Sequence, residues 1–225
     1  MLRTIFNHPS HPTAYPSSIL YCLIVAVLAV IIQSEARSDT LFSNLSGESA
    51  GPPTSDLSLG TQFTVGALPV TVSSLGVYDE GQDGLLVAHD VGIYRVSDQS
   101  FIGGTTIPSG QTADLSGVWR FVDVSFTLEA SETYMLVSQW DMSQDQNCYN
   151  GTYQSTSLAS VQIPSDYYAF SSTLTYPSND AASVTYTLHN AVINVVPEPS
   201  TLSLLAIGSG VLLIAGWRRR IRGKK

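Results

Sequence analysis

Short runs of alternating apolar and polar residues fill the middle of the chain. Between about Leu57 and Val195 the apolar positions recur with a period near two, and Gly, Asp, Asn, Ser and Pro separate the runs. A period of two is typical of strands that bury one face. The runs are 62–65, 70–78, 86–96, 118–128, 134–140 and 184–195. The pattern predicts an all-β fold, an antiparallel β-sandwich with a jelly-roll-like arrangement over residues 57–195.

The run from Val118 to Leu128 shows the alternation most clearly. One face of this run carries Val118, Arg120, Val122, Val124, Phe126 and Leu128. Because successive side chains of a strand point to opposite faces, either Trp119 or Arg120 is expected to point inward.

The N-terminal end carries an apolar stretch without this period. Residues 19–32 form fourteen uncharged positions, too short to cross a hydrocarbon core of ~30 Å comfortably as a helix. Ser34 and Ala36 then supply the small residues that signal peptidase requires. We predict a helical signal peptide over residues 1–36, cleaved between Ala36 and Arg37. An uncleaved N-terminal anchor is the alternative.

Residues 37–56 separate the predicted signal peptide from the first strand run. They are rich in Ser, Gly and Pro and include Gly51-Pro52-Pro53. Such a composition is typical of flexible segments, so we predict a flexible lead-in here.

The C-terminal end combines three features in order. Pro197, Glu198 and Pro199 come first, and the two prolines lack amide donors and resist helix continuation, which favours an exposed, extended strip. Residues 201–217 then form a predicted transmembrane helix, because seventeen apolar or small residues reach about 26 Å at 1.5 Å each. A basic tip, residues 218–225, follows and is expected to stay cytoplasmic. Its stop-transfer arginines are Arg218, Arg219, Arg220 and Arg222.

This order of features, from Val196 to Lys225, resembles the PEP-CTERM sorting signal. The resemblance implies that exosortase, an integral-membrane transpeptidase-like enzyme, processes the tail. It also implies an exported protein of a Gram-negative bacterium that makes exopolysaccharide. Such a protein passes through an inner-membrane intermediate and ends at the cell surface or in the extracellular matrix. An ordinary single-pass tail anchor on a structural module is the alternative.

The body of the chain resembles a second known group. The stretches from Leu75 to Gly110 and from Trp119 to Ser138 are similar to a β-sandwich domain of unknown function, which occurs in exported bacterial proteins ahead of such tails. The resemblance covers roughly residues 57–140. It implies a fold and a location, and it implies no activity.

The charge is strongly divided along the chain. Between Arg37 and Val196 there are sixteen Asp and Glu residues and three Arg residues, a net charge of 3 − 16 = −13, and no lysine. Neutralising phosphates needs Lys and Arg on the folded surface, so we predict no nucleic-acid partner. Removal of the signal peptide leaves Cys148 as the single cysteine, which excludes an intrachain disulfide.

One acidic loop raises the question of a metal site. Asp79, Asp83 and Asp90 fall at positions 1, 5 and 12 of an EF-hand spacing, but position 3 is Gly81 and position 12 is not the bidentate Glu of that motif. We interpret the loop as an inter-strand turn in which Asp and Gly supply the geometry. A Ca²⁺ site of carboxylates and carbonyls is the alternative, and no other cofactor is predicted.

No motif for catalysis is present. His89 and His189 are the histidines left after signal-peptide removal, and neither belongs to a nucleophile elbow or a metalloprotease motif. We therefore predict a non-enzymatic protein. A secreted hydrolase whose His189, Asp and Ser residues converge only in space is the alternative, and it would require a cleft.

Aromatic residues form the last notable set. They are Trp119, Trp140, Tyr149, Tyr153, Tyr167, Tyr168 and Tyr176. Packing in the core and across strands is the favoured interpretation. A stacking platform for polysaccharide is the alternative, and it motivates the hypothesis of an adhesive or exopolysaccharide-associated role.

Overall fold

The computed structural model describes residues 38–142, 144–181 and 188–196. They belong to one compact unit, Ala36–Val196. The predicted signal peptide with its cleavage site, the transmembrane helix at 201–217 and the basic tip lie outside the described residues. The described part contains thirteen strands, a 3-10 turn at Glu80–Gln82 and no α-helix.

The strands follow one another with short connections. In chain order they are β1 (Ser38–Thr40), β2 (Phe42–Gly51), β3 (Leu57–Val65), β4 (Val70–Tyr78), β5 (His89–Arg95), β6 (Phe101–Ile107), β7 (Asp114–Ser116), β8 (Trp119–Leu128), β9 (Thr133–Trp140), β10 (Asn147–Ser155), β11 (Ala159–Phe170), β12 (Asn179–Asp180) and β13 (His189–Val195). The predicted run 70–78 coincides with β4, and the other predicted runs overlap β3, β5, β8, β9 and β13.

Two large sheets form the sandwich. Sheet A has the order β1-β13-β4-β8-β7, and sheet C has the order β12-β11-β3-β9-β5-β6. All strand pairs are antiparallel. A third sheet, sheet B, has two strands and pairs β10 with β2. The prediction of an all-β antiparallel sandwich is confirmed, and its jelly-roll-like arrangement stays a prediction.

The core lies between the inner faces of sheets A and C. In β8 the face that carries Arg120, Val122, Val124, Phe126 and Leu128 is buried or half-buried, whereas Asp123, Ser125 and Thr127 are exposed. Alternation across the pleat explains this pattern. The large, fully buried side chains include Leu59, Phe63, Leu75, Ile93, Leu136 and Trp140.

The expected flexible lead-in differs from the structure, because residues 38–51 form β1 and β2. Leu41 and Phe42 are fully buried, so burial of apolar surface stabilises this segment. The chain leaves sheet A at Leu41, and the Asn190 side chain then binds the backbone of the next residue. Phe42 N–H donates to Asn190 Oδ1 at 3.0 Å, and Asn190 Nδ2 donates to Phe42 O at 2.8 Å. The ordered domain therefore starts before residue 57.

A crossing segment, residues 171–178, runs over the outer face of sheet C. Glycines let it approach the sheet closely: a Cβ atom at Gly60 would lie 2.7 Å from Pro177 Cγ, and one at Gly92 would lie 3.0 Å from Leu174 Cδ2. The Tyr94 hydroxyl donates to Leu174 O at 3.3 Å. The outer face of sheet C is thus partly covered by the chain itself.

Both boundaries of the domain lie at one end of the sandwich. Ser38 pairs with Asn194 at the end of β13, and Val196 N–H donates to Pro69 O at 3.1 Å. The loops 79–88 and 141–146 lie at the other end, where β13 starts beside Val77. Seven strand residues at about 3.4 Å each separate the two ends by roughly 20 Å.

Candidate functional site

The loop end, made of residues 79–88 and the described residues 141, 142 and 144–146, holds two of the three acidic positions that the sequence singled out, Asp79 and Asp83. Asp79 is buried and forms an ion pair with Arg120, with 2.6 Å between Oδ2 and Nε. Arg120 also donates to Ala113 O at 3.1 Å and to Gln82 O at 3.3 Å. Asp79 accepts a further bond from Gly84 N–H. The Asp79 carboxylate therefore neutralises the buried guanidinium of Arg120.

Asp83 occupies a different position in the same loop. It lines an open depression of about 490 Å³ together with Glu80, Leu86, Asp145 and Gln146. Gly81 and Gly84, at φ +75° and +110°, have the left-handed conformations that glycine adopts most readily. The loop geometry is thus the turn geometry that the sequence favoured.

Asp90 points elsewhere. It lies on β5, and its Oδ1 accepts a hydrogen bond from the Thr106 hydroxyl at 2.6 Å. Asp79, Asp83 and Asp90 are therefore not brought together, and within the described residues no group of three or more His, Cys, Asp or Glu has metal-binding geometry. The geometry gives the Ca²⁺ alternative no support.

His89 and Asp145 tie the two loops together. Asp145 accepts hydrogen bonds from Leu86 N–H at 2.8 Å, Val87 N–H at 3.1 Å and His89 Nε2 at 2.9 Å. Burial alone would raise the pKa of Asp145, but these hydrogen bonds outweigh it and lower the pKa. His89 Nδ1 faces Gln139 O at 2.9 Å. Both ring nitrogens of His89 are therefore within hydrogen-bond distance of an oxygen atom.

His189 belongs to a second buried network, which joins the two sheets. Its Nδ1 lies 2.9 Å from Ser138 Oγ, and its Nε2 lies 3.0 Å from Thr61 Oγ1. Thr61 donates to Asp166 Oδ1 at 2.6 Å, and Trp140 Nε1 donates to Ser138 Oγ at 2.7 Å. A neutral imidazole protonated at Nε2 fits every partner, with Ser138 donating to Nδ1.

Burial sets the chemistry of this second network. Ser138 and His189 are fully buried, and Thr61 and Asp166 are nearly so. Burial lowers the pKa of His189 to about 3. A base with so low a pKa is a poor proton acceptor near neutral pH, and neither Ser138 nor His189 lines the depression at the loop end.

The aromatic residues divide between core and surface. Trp119 and Trp140 are buried, and Trp140 stacks on His89 with 4.4 Å between ring centroids. Tyr153 packs edge-on against Phe42 at 4.7 Å, and burial followed by the Asp166 charge raises its pKa to about 12. The Tyr149 side chain lies outside what the structure describes. Core packing thus accounts for both tryptophans.

An aromatic cluster that the sequence did not predict lies on the outer face of sheet C. Tyr94 packs edge-on against Phe101 at 5.1 Å and against Tyr176 at 5.8 Å. Phe101 is 53% exposed. Tyr176 reaches this cluster because the crossing segment carries it across the sheet.

Several site residues could not be found from the sequence. Asp145, Ser138, Thr61 and Asp166 are single polar residues in or beside strands, with no motif around them. The sequence contains one sign of such a network: a polar residue at an inward position of a strand, such as Ser138 between Leu136 and Trp140. A buried polar side chain requires a partner, although the pattern does not name that partner.

Residues 195–220 match the family model for the PEP-CTERM protein-sorting motif. The chain carries a PEP-CTERM sorting motif. The motif indicates an exported protein that exosortase processes, with a membrane-anchored stage before the surface. It contains the predicted sorting residues Pro197, Glu198 and Pro199, and its positions beyond Val196 lie outside the described residues. Within the described part, no helix is long and apolar enough to cross a membrane.

The β-sandwich of the PEP-CTERM chain has low similarity to known proteins. A search of curated proteins found no significant match. Among solved structures, the chain is similar to the infectious bursal disease virus VP2 subviral particle at 12% identity and to the Gx strain of that virus at 11% identity. Each comparison covers 84% of this chain and 50% of the viral chain, with a TM-score of 0.30. The chain spans half the length of these viral chains, and a TM-score of 0.30 does not establish a shared fold.

Proposed function

We propose that the β-sandwich is a non-enzymatic module of the cell surface or extracellular matrix. In this proposal, signal peptidase first removes residues 1–36, and the transmembrane helix at 201–217 holds the protein in the inner membrane until exosortase processes the tail. The PEP-CTERM motif is the observation that carries the proposal. It supports export and sorting directly, and the site geometry supports the absence of catalysis.

The non-enzymatic role rests on where the reactive side chains lie. His89, His189 and Arg120 are buried and hydrogen-bonded within the domain. A catalytic base must reach the proton that it abstracts from a substrate. Side chains whose hydrogen bonds are satisfied inside the core stabilise the fold instead.

The second candidate is a hydrolase built on Ser138 and His189. One observation favours it: the 2.9 Å contact between Ser138 Oγ and His189 Nδ1 has the spacing of a nucleophile and its base. The burial of both residues and the low pKa of His189 oppose it. Ester hydrolysis that Ser138→Ala abolishes, with the fold retained, would favour this candidate over the structural module.

Exopolysaccharide association is the specific role that we propose. The outer-face aromatic cluster of Tyr94, Phe101 and Tyr176 supplies ring surface for sugar stacking, whereas the tryptophans are buried. The net charge of the domain, which is strongly negative, repels anionic lipid and keeps the domain in solution. The cluster therefore favours neutral sugar faces over anionic groups.

Two measurements on the protein from its own host test this function. Intact-mass spectrometry is expected to find an N-terminus near Arg37 and a C-terminus between Pro197 and Ser200. An intact basic tip would overturn the processing step. Affinity electrophoresis in the host polysaccharide is expected to retard the wild type, and Phe101→Ala is expected to lose most of the retardation. Leu115→Ala, which alters an exposed apolar residue of sheet A, is the matched control, and equal losses in both variants would overturn the sugar-binding role.

A further inference from the structure

The outer face of sheet C carries a row of three different surfaces where β5 and β6 pair. Asp90 pairs with Thr106, and two positions further along Gly92 pairs with Gly104. Phe101 follows on the same face, and Phe101, Gly104 and Thr106 are all exposed. A carboxylate, a strip of bare backbone and an aromatic ring therefore lie side by side. These five residues form the β5–β6 patch.

A register shift brings the aromatic ring onto this face. Gly103 pairs with Ile93, so an unbroken register would pair Ile102 with the next residue of β5. Tyr94 pairs with Phe101 instead, which leaves Ile102 as an extra residue on β6. One extra residue reverses the alternation of the strand beyond it. The shift therefore places Phe101 beside Tyr94 on the outer face and not toward the core.

The two glycines hold the ring of Phe101 against the sheet. A Cβ atom at Gly92 would lie 2.5 Å from Phe101 Cε2, and one at Gly104 would lie 2.9 Å from Phe101 Cζ. Tyr94 contacts the ring edge-on from the side. The Phe101 side chain still exposes 53% of its surface. A ring that is already held in place loses little freedom when a ligand stacks on it.

Asp90 supplies the hydrogen-bond acceptors of the patch. Its Oδ1 accepts from the Thr106 hydroxyl at 2.6 Å, which fixes the orientation of the carboxylate. Within the described part of the chain, no group donates to Oδ2. An ionised carboxylate has about four acceptor positions and no donor. Asp90 lies two residues from Gly92, or about 7 Å along the strand, so one sugar ring with its hydroxyls can reach both the carboxylate and the ring of Phe101.

We propose that the β5–β6 patch binds one neutral pyranose unit of a polysaccharide and that Asp90 determines its selectivity. This proposal rests on the polysaccharide association proposed above. The apolar face of the sugar stacks on Phe101, and sugar hydroxyls donate to the Asp90 carboxylate, as charge-assisted hydrogen bonds. A uronate or a sulfated sugar would bring a like charge to Asp90, which is unfavourable. Ring and carboxylate together therefore select a ligand that is neutral and rich in hydroxyls.

The experiment uses the full chain in a polyoxyethylene detergent, which contains no sugar. Affinity electrophoresis in the host polysaccharide, relative to the mobility of each variant without it, gives a dissociation constant. Asp90→Asn keeps the shape of the side chain, and its affinity is expected to fall about tenfold. Asp123→Asn is the matched control, because Asp123 is an exposed aspartate on β8 that accepts from the Ser74 hydroxyl at 3.0 Å. It is expected to keep the wild-type affinity.

A carboxymethylated form of the same polysaccharide tests the selectivity. The wild type is expected to bind it much more weakly than the neutral form, and Asp90→Asn is expected to discriminate less. A purely structural role of Asp90 would lower both affinities and leave their ratio unchanged, which overturns the proposal. Thr106→Val, which removes the hydroxyl that orients Asp90, is expected to weaken binding as well and decides the question if Asp90→Asn fails to fold.

The outcomes separate this inference from the function on which it rests. Equal dissociation constants for Asp90→Asn and Asp123→Asn overturn the role of Asp90. If Phe101→Ala still loses the retardation in that case, polysaccharide association itself stands. A wild type that the polysaccharide does not retard overturns both.

Discussion

At the scale of single residues, Arg120 shows what the alternation of a strand predicts and what it leaves open. The alternation of β8 predicted that either Trp119 or Arg120 points inward, and the structure buries both side chains. A buried arginine needs a carboxylate, so an acidic partner could be expected. The partner is Asp79, which the EF-hand spacing had suggested as a metal ligand. Spacing along the chain could not distinguish these roles, because β4 and β8 lie side by side only after folding.

His89 shows the same limit: a local pattern does not identify partners that are distant in the sequence. His89 and Asp90 are neighbours on β5 with different partners, Asp145 and Thr106, because successive side chains of a strand point to opposite faces. The partners of His89 lie fifty or more positions away. Such contacts depend on the tertiary fold, and no local pattern encodes them.

A prediction for pH follows from His189. Its native pKa of about 3 lies below the value of 6.5 in the unfolded chain, so only the unfolded state takes up a proton on this side chain between these values. The free energy of unfolding should therefore fall as the pH drops from about 6.5 toward 3, by at most about 1.4 kcal/mol per pH unit. The lowered pKa of Asp145 acts in the same direction, but only below about pH 4.

Urea unfolding between pH 7 and pH 4 measures this slope. His189→Gln, which cannot take up the proton, is expected to show a shallower decline than the wild type. Ser138→Ala keeps the imidazole and serves as control, with lower stability and nearly the wild-type slope. Parallel curves for the wild type and His189→Gln would show that His189 does not titrate on unfolding.

At the scale of elements, the strands were the most predictable part. β4 and β8 are nine and ten residues long and alternate between buried and more exposed positions over much of their length, so they are visible in the sequence. β1 and β2 were missed because their residues are mostly small and polar; the apolar contacts with the core come from Leu41 and Phe42, which are fully buried, and from the half-buried Leu45. β11 was missed because its pairing with β3 shifts between Val161 and Asp166, which breaks the period of two.

The crossing segment was not predictable because its partners are glycines and backbone groups. The Ser58 hydroxyl holds it from both sides: it donates to Thr173 O at 3.1 Å and accepts from Thr175 N–H at 3.0 Å. Ser58 is itself fully buried beneath the segment. A single serine on β3 thus fixes the middle of the segment.

Ser58→Ala should loosen the crossing segment while the sandwich persists. Loss of both hydrogen bonds is expected to cost about 1–2 kcal/mol locally, and hydrogen exchange should accelerate in residues 171–178. Thr64→Ala is the matched control, because it removes a side-chain hydrogen bond of the same strand, to Thr133, away from the segment. Similar acceleration in both variants would mean that Ser58 does not hold the segment.

At the scale of the whole molecule, the β-sandwich domain contains the hydrophobic core of the described residues. The core residues run from Leu41 to Ile193, and all of them lie within the unit Ala36–Val196. The three aspartates that resembled a metal loop, and the acidic charge as a whole, lie on this unit. β13 ends at Val195, directly before the predicted sorting tail at residues 196–225.

A chain cut to residues 37–196 should therefore fold alone. Thermal unfolding followed by near- and far-ultraviolet circular dichroism is expected to show one cooperative transition in both signals. A chain that starts at residue 57 is the comparison, and it should lose stability because Leu41 and Phe42 leave the core. Equal melting temperatures for the two chains would show that β1 and β2 are dispensable.

The exit of the chain at Val196 has a mechanical consequence. Tension applied there along the strand axis would load β13, which pairs with β4 on one side over its whole length and with β1 on the other. The hydrogen bonds of antiparallel strands lie perpendicular to such a pull, so they would share the load in shear and would not open one after another. A protein held by this end could resist drag from flowing water without losing its fold.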